Sequence, residues 1–214
     1  DLISKFPYHR KNKPTTFFYF FINLSMLINM AADSSDYGFC EIFLFKDIKN
    51  GKEIHSHILE GSLKCAAIKP ALIAHPLQIA VACKKSLAAS VAISTNEAKS
   101  KGLMTKSIFT EILYNLAPTK NIAESLKTYG VSNNDQEIIF VLIKEQNQEY
   151  SSSQDELLSK VDGKLVSNLM DDKEGLPCFT NWNSIVKLHK LKSITYKKCI
   201  VDVLVSRAAT KDSS

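Results

Sequence analysis

The side chains best placed to do chemistry in this 214-residue chain gather at one short turn, residues 115–122. Asn115, Thr119 and Asn121 bring hydrogen-bonding groups to it, and Lys120 and Lys127 bring positive charge. Asn121 also heads an apolar periodicity, so the amides of a new helix point out of the same turn. Helix-start N–H groups beside lysines suit phosphate oxygens. Lys84, Lys85, Lys99, Lys101 and Lys106 flank the two helices that meet there. The chemistry this permits is anion binding, with Tyr114 or Tyr129 available to stack on a base. The plainer use of the same residues is a solvated helix surface for the lysines and a half-buried packing position for the tyrosines.

Covalent and metal chemistry has no comparable footing. The sequence contains no GxxxxGK[ST] phosphate loop, GxGxxG turn, GxSxG elbow, HExxH helix, kinase signature or paired-cysteine zinc spacing. His55 and His57 are two residues apart and so point to different faces of a helix, which makes them solvated histidines rather than a metal pair. His75 before Pro76 reads as a helix-start residue, and His189 between Leu188 and Leu191 as a half-buried structural histidine. Glu111 and Glu124 fall on separate helices with no nucleophile beside them and read as solvated charges. No catalytic residue, metal ligand or cofactor is expected, which points to a binding protein rather than an enzyme. The five cysteines form no CxxC pair and are odd in number. Cys40, Cys83 and Cys199 lie in apolar runs and read as buried, reduced thiols of an intracellular protein.

The turn must be positioned by the elements around it. Ile108, Phe109, Ile112, Leu113 and Leu116 recur at the helical period, with Lys106, Thr110, Glu111, Tyr114 and Asn115 on the other side, and Pro118 stops the helix. Asn121 with Glu124 three residues on is a capping-box-like start for a second helix, which Gly130 ends as a left-handed residue. The run 138–143 is uninterruptedly apolar and β-branched, so it is a strand covered on both faces. Residues 42–45 form a second strand able to pair with it. Asn50 with Glu53 starts a helix that Gly61 closes, 63–73 holds another short helix, and Pro76 opens a longer one running through Leu77, Ala80, Val81 and Leu87. A short helix around Leu157 and Leu158 closed by Gly163, a strand at Leu165 and Val166, a flexible insertion at 170–177 and a helix at 182–191 complete the chain. The elements define one α+β domain, with a small, mostly antiparallel sheet and several helices packed on it.

Composition agrees: 45% apolar and 23% charged residues with only 7 Gly and 6 Pro belong to an ordinary globular domain. The net charge of +5 suggests nucleic acid at first, but Lys5, Arg10, Lys11 and Lys13 against Asp1 put +3 of it in residues 1–29, leaving +2. Any nucleic-acid surface must therefore be a local patch. Residues 1–29, basic and then apolar, have the order of a secretory signal but precede Met30. They are expected to be a non-native or disordered extension to a domain at 30–214, with a signal or anchor as the alternative. The stretch 195–209 carries Lys198, Asp202 and Ser206 at i, i+4 and i+8 and is otherwise almost wholly apolar. That arc is wider than one core contact requires, so the helix is either interior or presents a second face to another protein, unless its β-branched residues make it a strand.

The phrases NLAPTKNIAESLKTYGVSNND and EIIFVLIKE, with FLFKDIKN, LEGSL, HPLQIAVACKKSL and the TKD at 210–212 in the same order, resemble the kinase-binding subunit family of the KEOPS (EKC) complex, the TPRKB or PRPK-binding proteins. The resemblance extends from about Cys40 to the C-terminus. It implies a non-catalytic subunit, in cytoplasm and nucleus, that binds the atypical PRPK-like kinase/ATPase subunit and helps to hold tRNA by its 3′ end. The threonylcarbamoyladenosine chemistry of the complex belongs to another subunit, and no membrane is implied. It places tRNA against Asn115, Thr119, Lys120, Asn121, Ile122 and Lys127. It also implies that the last helix docks the kinase, for which the face of Val201, Leu204, Val205 and Ala208 is expected to serve, with Cys199, Ile200 and Val203 turned to the core. A small-molecule-binding or enzymatic α+β domain with a site built from dispersed residues is the competing reading. A surface cavity lined by His75, Glu111 and Asn115, with no exposed apolar helix, would favour it.

Overall fold

The computed structural model describes residues 39–94, 102–144, 152–191 and 196–211. The extension expected at 1–29, and Lys99 and Lys101 of the basic loop, lie outside the described residues.

Two apolar strands, β1 (Phe39–Lys46) and β3 (Ile138–Lys144), pair antiparallel from Cys40 opposite Ile143 to Phe45 opposite Ile138. β2 (Ala66–Ile68) extends the sheet on the far side of β3, and β4 (Lys164–Leu165) on the far side of β1, giving the order β2-β3-β1-β4 with every pairing antiparallel. Because successive side chains alternate, the same two strands feed both faces of the sheet. Cys40, Ile42, Leu44, Ile139 and Val141 pack under α2 (Pro76–Ser94), α3 (Ile108–Leu116) and α4 (Ile122–Tyr129). Phe43, Phe45, Ile138, Phe140 and Leu142 pack under α1 (Gly51–Leu59) and α5 (Ser152–Lys160), with the rings of Phe45 and Phe140 edge to face at 5.6 Å. The strand with no polar alternation is thus covered on both sides, and the α+β class holds.

After β4 come α6 (Leu176–Phe179), α7 (Trp182–Leu188) and α8 (Lys197–Thr210). The last of these is a helix and not a strand, lying on α2 and α3. Ile200 and Leu204 join Ile185 and Leu191 in a small core of their own.

Several local expectations fail for tertiary reasons. The short helix expected within 63–73 is instead β2 followed by a 3-10 turn at Pro70–Leu72. Ala66 to Ile68 satisfy the outer hydrogen bonds of β3, which buried backbone requires. Asn50 starts α1 as expected, but its side chain is used elsewhere: the amide donates to the Lys160 carbonyl at 2.8 Å and the oxygen accepts the Asp162 N–H at 3.0 Å, tying α1 to the end of α5. Gly130 is extended (φ −70°, ψ 153°) rather than left-handed, because it bridges to Ile68 at the sheet edge. It is needed there for space, since a Cβ would sit 2.4 Å from the Leu126 carbonyl oxygen. The insertion expected at 170–177 is held down by buried Leu176 and by an Asp171 carboxylate that accepts the Lys173 and Glu174 N–H groups.

Candidate functional site

The most consequential departure is in α3, whose supposed polar side is buried. Helices α2, α4 and α8 and strand β2 surround it, so Glu111, Tyr114 and Asn115 are almost fully enclosed. Glu111 is satisfied by the Thr105 N–H and hydroxyl, both at 2.8 Å. Asn115 donates to the Ser86 hydroxyl at 2.9 Å, and that hydroxyl donates in turn to the Ala82 carbonyl of the same helix at 2.8 Å. Asn115 is therefore a bolt between α2 and α3, and its place on the expected RNA-facing surface is corrected. Tyr114 and Tyr129 are buried as well, so neither ring is open to stack on a base. Glu111 and Asn115, which the competing reading would place on a surface cavity, are instead buried inside the fold.

Past α3 the chain turns outward. Thr119 and Ile122 are half-buried, while Lys120, Asn121 and Lys127 are exposed. Asn121 accepts the Glu124 N–H at 3.1 Å, the expected cap, but Glu124 does not reach back to the Asn121 amide. Thr119 stands between them: its hydroxyl accepts the Asn121 N–H and donates to the Glu124 carboxylate, each at 3.2 Å. Ser125 closes the first helical turn by donating to the Asn121 carbonyl at 2.8 Å. The Asn121 and Glu124 N–H groups are thus taken up within the turn, and what it presents outward is the exposed charge of Lys120 and Lys127.

Beside the turn is an open cleft of about 500 Å³. Thr119, Glu124 and Thr128 line it from the turn and α4, and His189, Lys190 and Arg207 from the end of α7 and from α8. Arg207 donates to the His189 carbonyl at 2.7 Å, and the His189 ring is hydrogen-bonded through Nε2 to the Tyr129 hydroxyl at 2.8 Å. Burial, helped by Arg207, lowers the His189 pKa to about 4, so the ring is neutral near pH 7 and the cleft's positive charge comes from Lys190 and Arg207. Arg207 and Lys190 drew no notice in the sequence, since nothing local in it brings residues 117–128 against residues 188–190.

In α8 the inward stripe is Ile200, Leu204 and Ala208, one turn apart and each buried. The expected partner face is corrected accordingly: Leu204, 2% exposed, and Ala208 belong to the protein's own interior. Cys199, expected inside, is exposed, while Ile200 is buried and Val203 packs against the α7 cluster as expected. Val201 and Val205 remain half-buried on the flank opposite Val203 and Arg207, a rotation that follows from about 100° per residue. Among the described residues, no group of three or more His, Cys, Asp and Glu side chains is placed to hold a metal, and no helix is long and apolar enough to cross a membrane.

An antiparallel four-stranded sheet between helices, a lysine-bearing capped turn and a C-terminal helix with one half-buried apolar flank are the parts from which a function has to be read. The chain belongs to the family described as "Kinase binding protein CGI-121", whose model matches residues 45–212 and so spans both the turn and α8. It is 33% identical over 171 residues to the EKC/KEOPS complex subunit TPRKB of Danio rerio, covering 79% of this chain and 89% of that one. It is 29% identical over 101 residues to the EKC/KEOPS complex subunit CGI121 of Candida albicans, covering 44% of this chain and 49% of that one.

Proposed function

We propose that this protein is a non-catalytic subunit of a KEOPS/EKC complex, in cytoplasm and nucleus, that binds the atypical kinase/ATPase subunit and helps to hold tRNA for threonylcarbamoyladenosine modification. The observation that carries the kinase-binding half is family membership across nearly the whole described fold. The flank of α8 that bears Val201 and Val205 supplies a surface for it, smaller than the sequence suggested but with α8 fixed from behind by Ile200 and Leu204.

The tRNA-holding half is supported by the turn. Thr119, Lys120, Asn121 and Ile122 stand at the start of α4, Lys127 is exposed farther along it, and Lys190 and Arg207 border the neighbouring cleft. Backbone and lysine contacts of this kind bind phosphate without reading sequence, as a subunit acting on many tRNAs requires. The test is tRNA binding by the folded Lys120→Glu/Lys127→Glu double variant over a range of salt. Affinity is expected to fall, and the slope of log K against log salt to flatten by roughly one unit for each phosphate that the variant no longer neutralises. Unchanged affinity and slope would remove the turn from the RNA interface.

A further inference from the structure

We propose that Lys211, at the end of α8, is the positioning residue of the turn at 119–122, holding it from beneath without touching RNA itself. The proposal rests on the tRNA-facing reading of that turn. A helix leaves its last carbonyls without partners inside the helix, and a cation is favoured beside them. At the end of α3 that cation is Lys211: its ammonium donates to the Tyr114 carbonyl and, at 2.9 Å, to the Ala117 carbonyl. It also stands 3.6 Å from the centroid of the Tyr114 ring. Ala117 is the extended residue that leads out of α3 into Pro118 and Thr119, so the direction of its carbonyl sets how the chain approaches the turn.

Lys211 can act as a fixed post because the end of α8 is anchored independently of it. Its own carbonyl accepts the Lys85 ammonium from α2, and Arg207 one turn earlier donates to the His189 carbonyl at 2.7 Å. Ala208, only 2% exposed, seats the same turn of helix in the core. An ammonium has three N–H groups, and two of those of Lys211 go to carbonyls of the α3 end. The residue therefore serves geometry rather than phosphate. Lys85, which sequence placed in a basic patch, takes part in the same anchoring.

The experiment measures tRNA binding by the full chain at several salt concentrations for wild type, Lys211→Met, Lys211→Arg and Lys120→Glu/Lys127→Glu, with amide hydrogen exchange read at 119–124 in the first three. Lys211→Met is expected to weaken tRNA binding roughly five- to tenfold with an unchanged salt slope, the signature of an indirect effect that leaves every phosphate-neutralising charge in place. Exchange at 119–124 should quicken about fivefold, Lys211→Arg should restore both properties, and binding of the kinase subunit should stay as it is. A slope lower by about one unit would make Lys211 a phosphate ligand and overturn the proposal. So would unchanged affinity in Lys211→Met when Lys120→Glu/Lys127→Glu binds poorly. If the double variant binds normally, the tRNA-facing reading fails on its own, and exchange decides the positioning role: unchanged rates in Lys211→Met overturn it.

Discussion

His189 shows how a single buried side chain gives this protein a pH-dependent stability. Its ring is enclosed between Tyr129 and the residues around Arg207, and its folded pKa of about 4 lies below the ordinary 6.5. The unfolded chain therefore takes up the proton first. Stability is complete above about pH 6.5 and is lost as the pH falls toward 4, on the order of 2 kcal/mol by about pH 5. The carboxyls of Asp47 and Asp171 are held below their usual value, chiefly by hydrogen bonds from Lys164 and from the Lys173 and Glu174 amides, so they act in a lower window. Urea melts between pH 7 and pH 5 should show the loss in wild type and a shallower one in His189→Gln. Equal slopes in the two would show that His189 is not the group responsible. The position of His189 beside Leu188 and Leu191 marked it as structural in the sequence. Its partners, Tyr129 and Arg207, are too distant in sequence to have been named.

At the scale of the element, α8 separates two kinds of apolar residue that sequence cannot tell apart. Leu204 sits inside the stripe with Ile200 and Ala208, so Leu204→Glu must bury a carboxylate in the protein's own core. The expected cost is roughly 3–5 kcal/mol, or about 10 °C in the melting temperature of the free protein. Val205→Glu, on the half-buried flank, should change stability by about 1 kcal/mol or less while removing the kinase subunit from a pull-down. Reversed melting behaviour of the two variants would turn the helix over. The width of the apolar arc was legible in the sequence, but its centre was not, because the rotation of α8 is set by α2 and α3. The same reason accounts for α3, where a polar stripe of Glu111, Tyr114 and Asn115 reads as solvent-facing although it is buried, with Thr105 bonded to Glu111 and Ser86 to the Asn115 amide. Elements with a strong local signal were legible: β3, the stop at Pro118, the Asn121 half of the cap and, of β1, the apolar half at 42–45. What failed, as at Gly130 and 66–68, were short stretches whose conformation is dictated by the edge of the sheet.

In the described residues one sheet serves two cores, a third and smaller one lies between α7 and α8, and the lysine-bearing turn and the half-buried flank of α8 are both on the α2–α3–α4 side. Every described core residue falls between Cys40 and Ala208, so a chain beginning at Met30 should unfold with the same cooperative melt as the full sequence. Loss of that cooperativity would give the first 29 residues a structural role. Under the proposed function, α8 carries the surface that binds the atypical kinase subunit. The measurement that addresses it most directly is calorimetric titration of the purified chain, wild type and Val205→Glu, with the purified kinase/ATPase subunit of a KEOPS complex. Saturable binding by wild type and its loss in a Val205→Glu protein of unchanged melting temperature is the predicted result; a wild-type chain that releases no heat and forms no complex by gel filtration would contradict it.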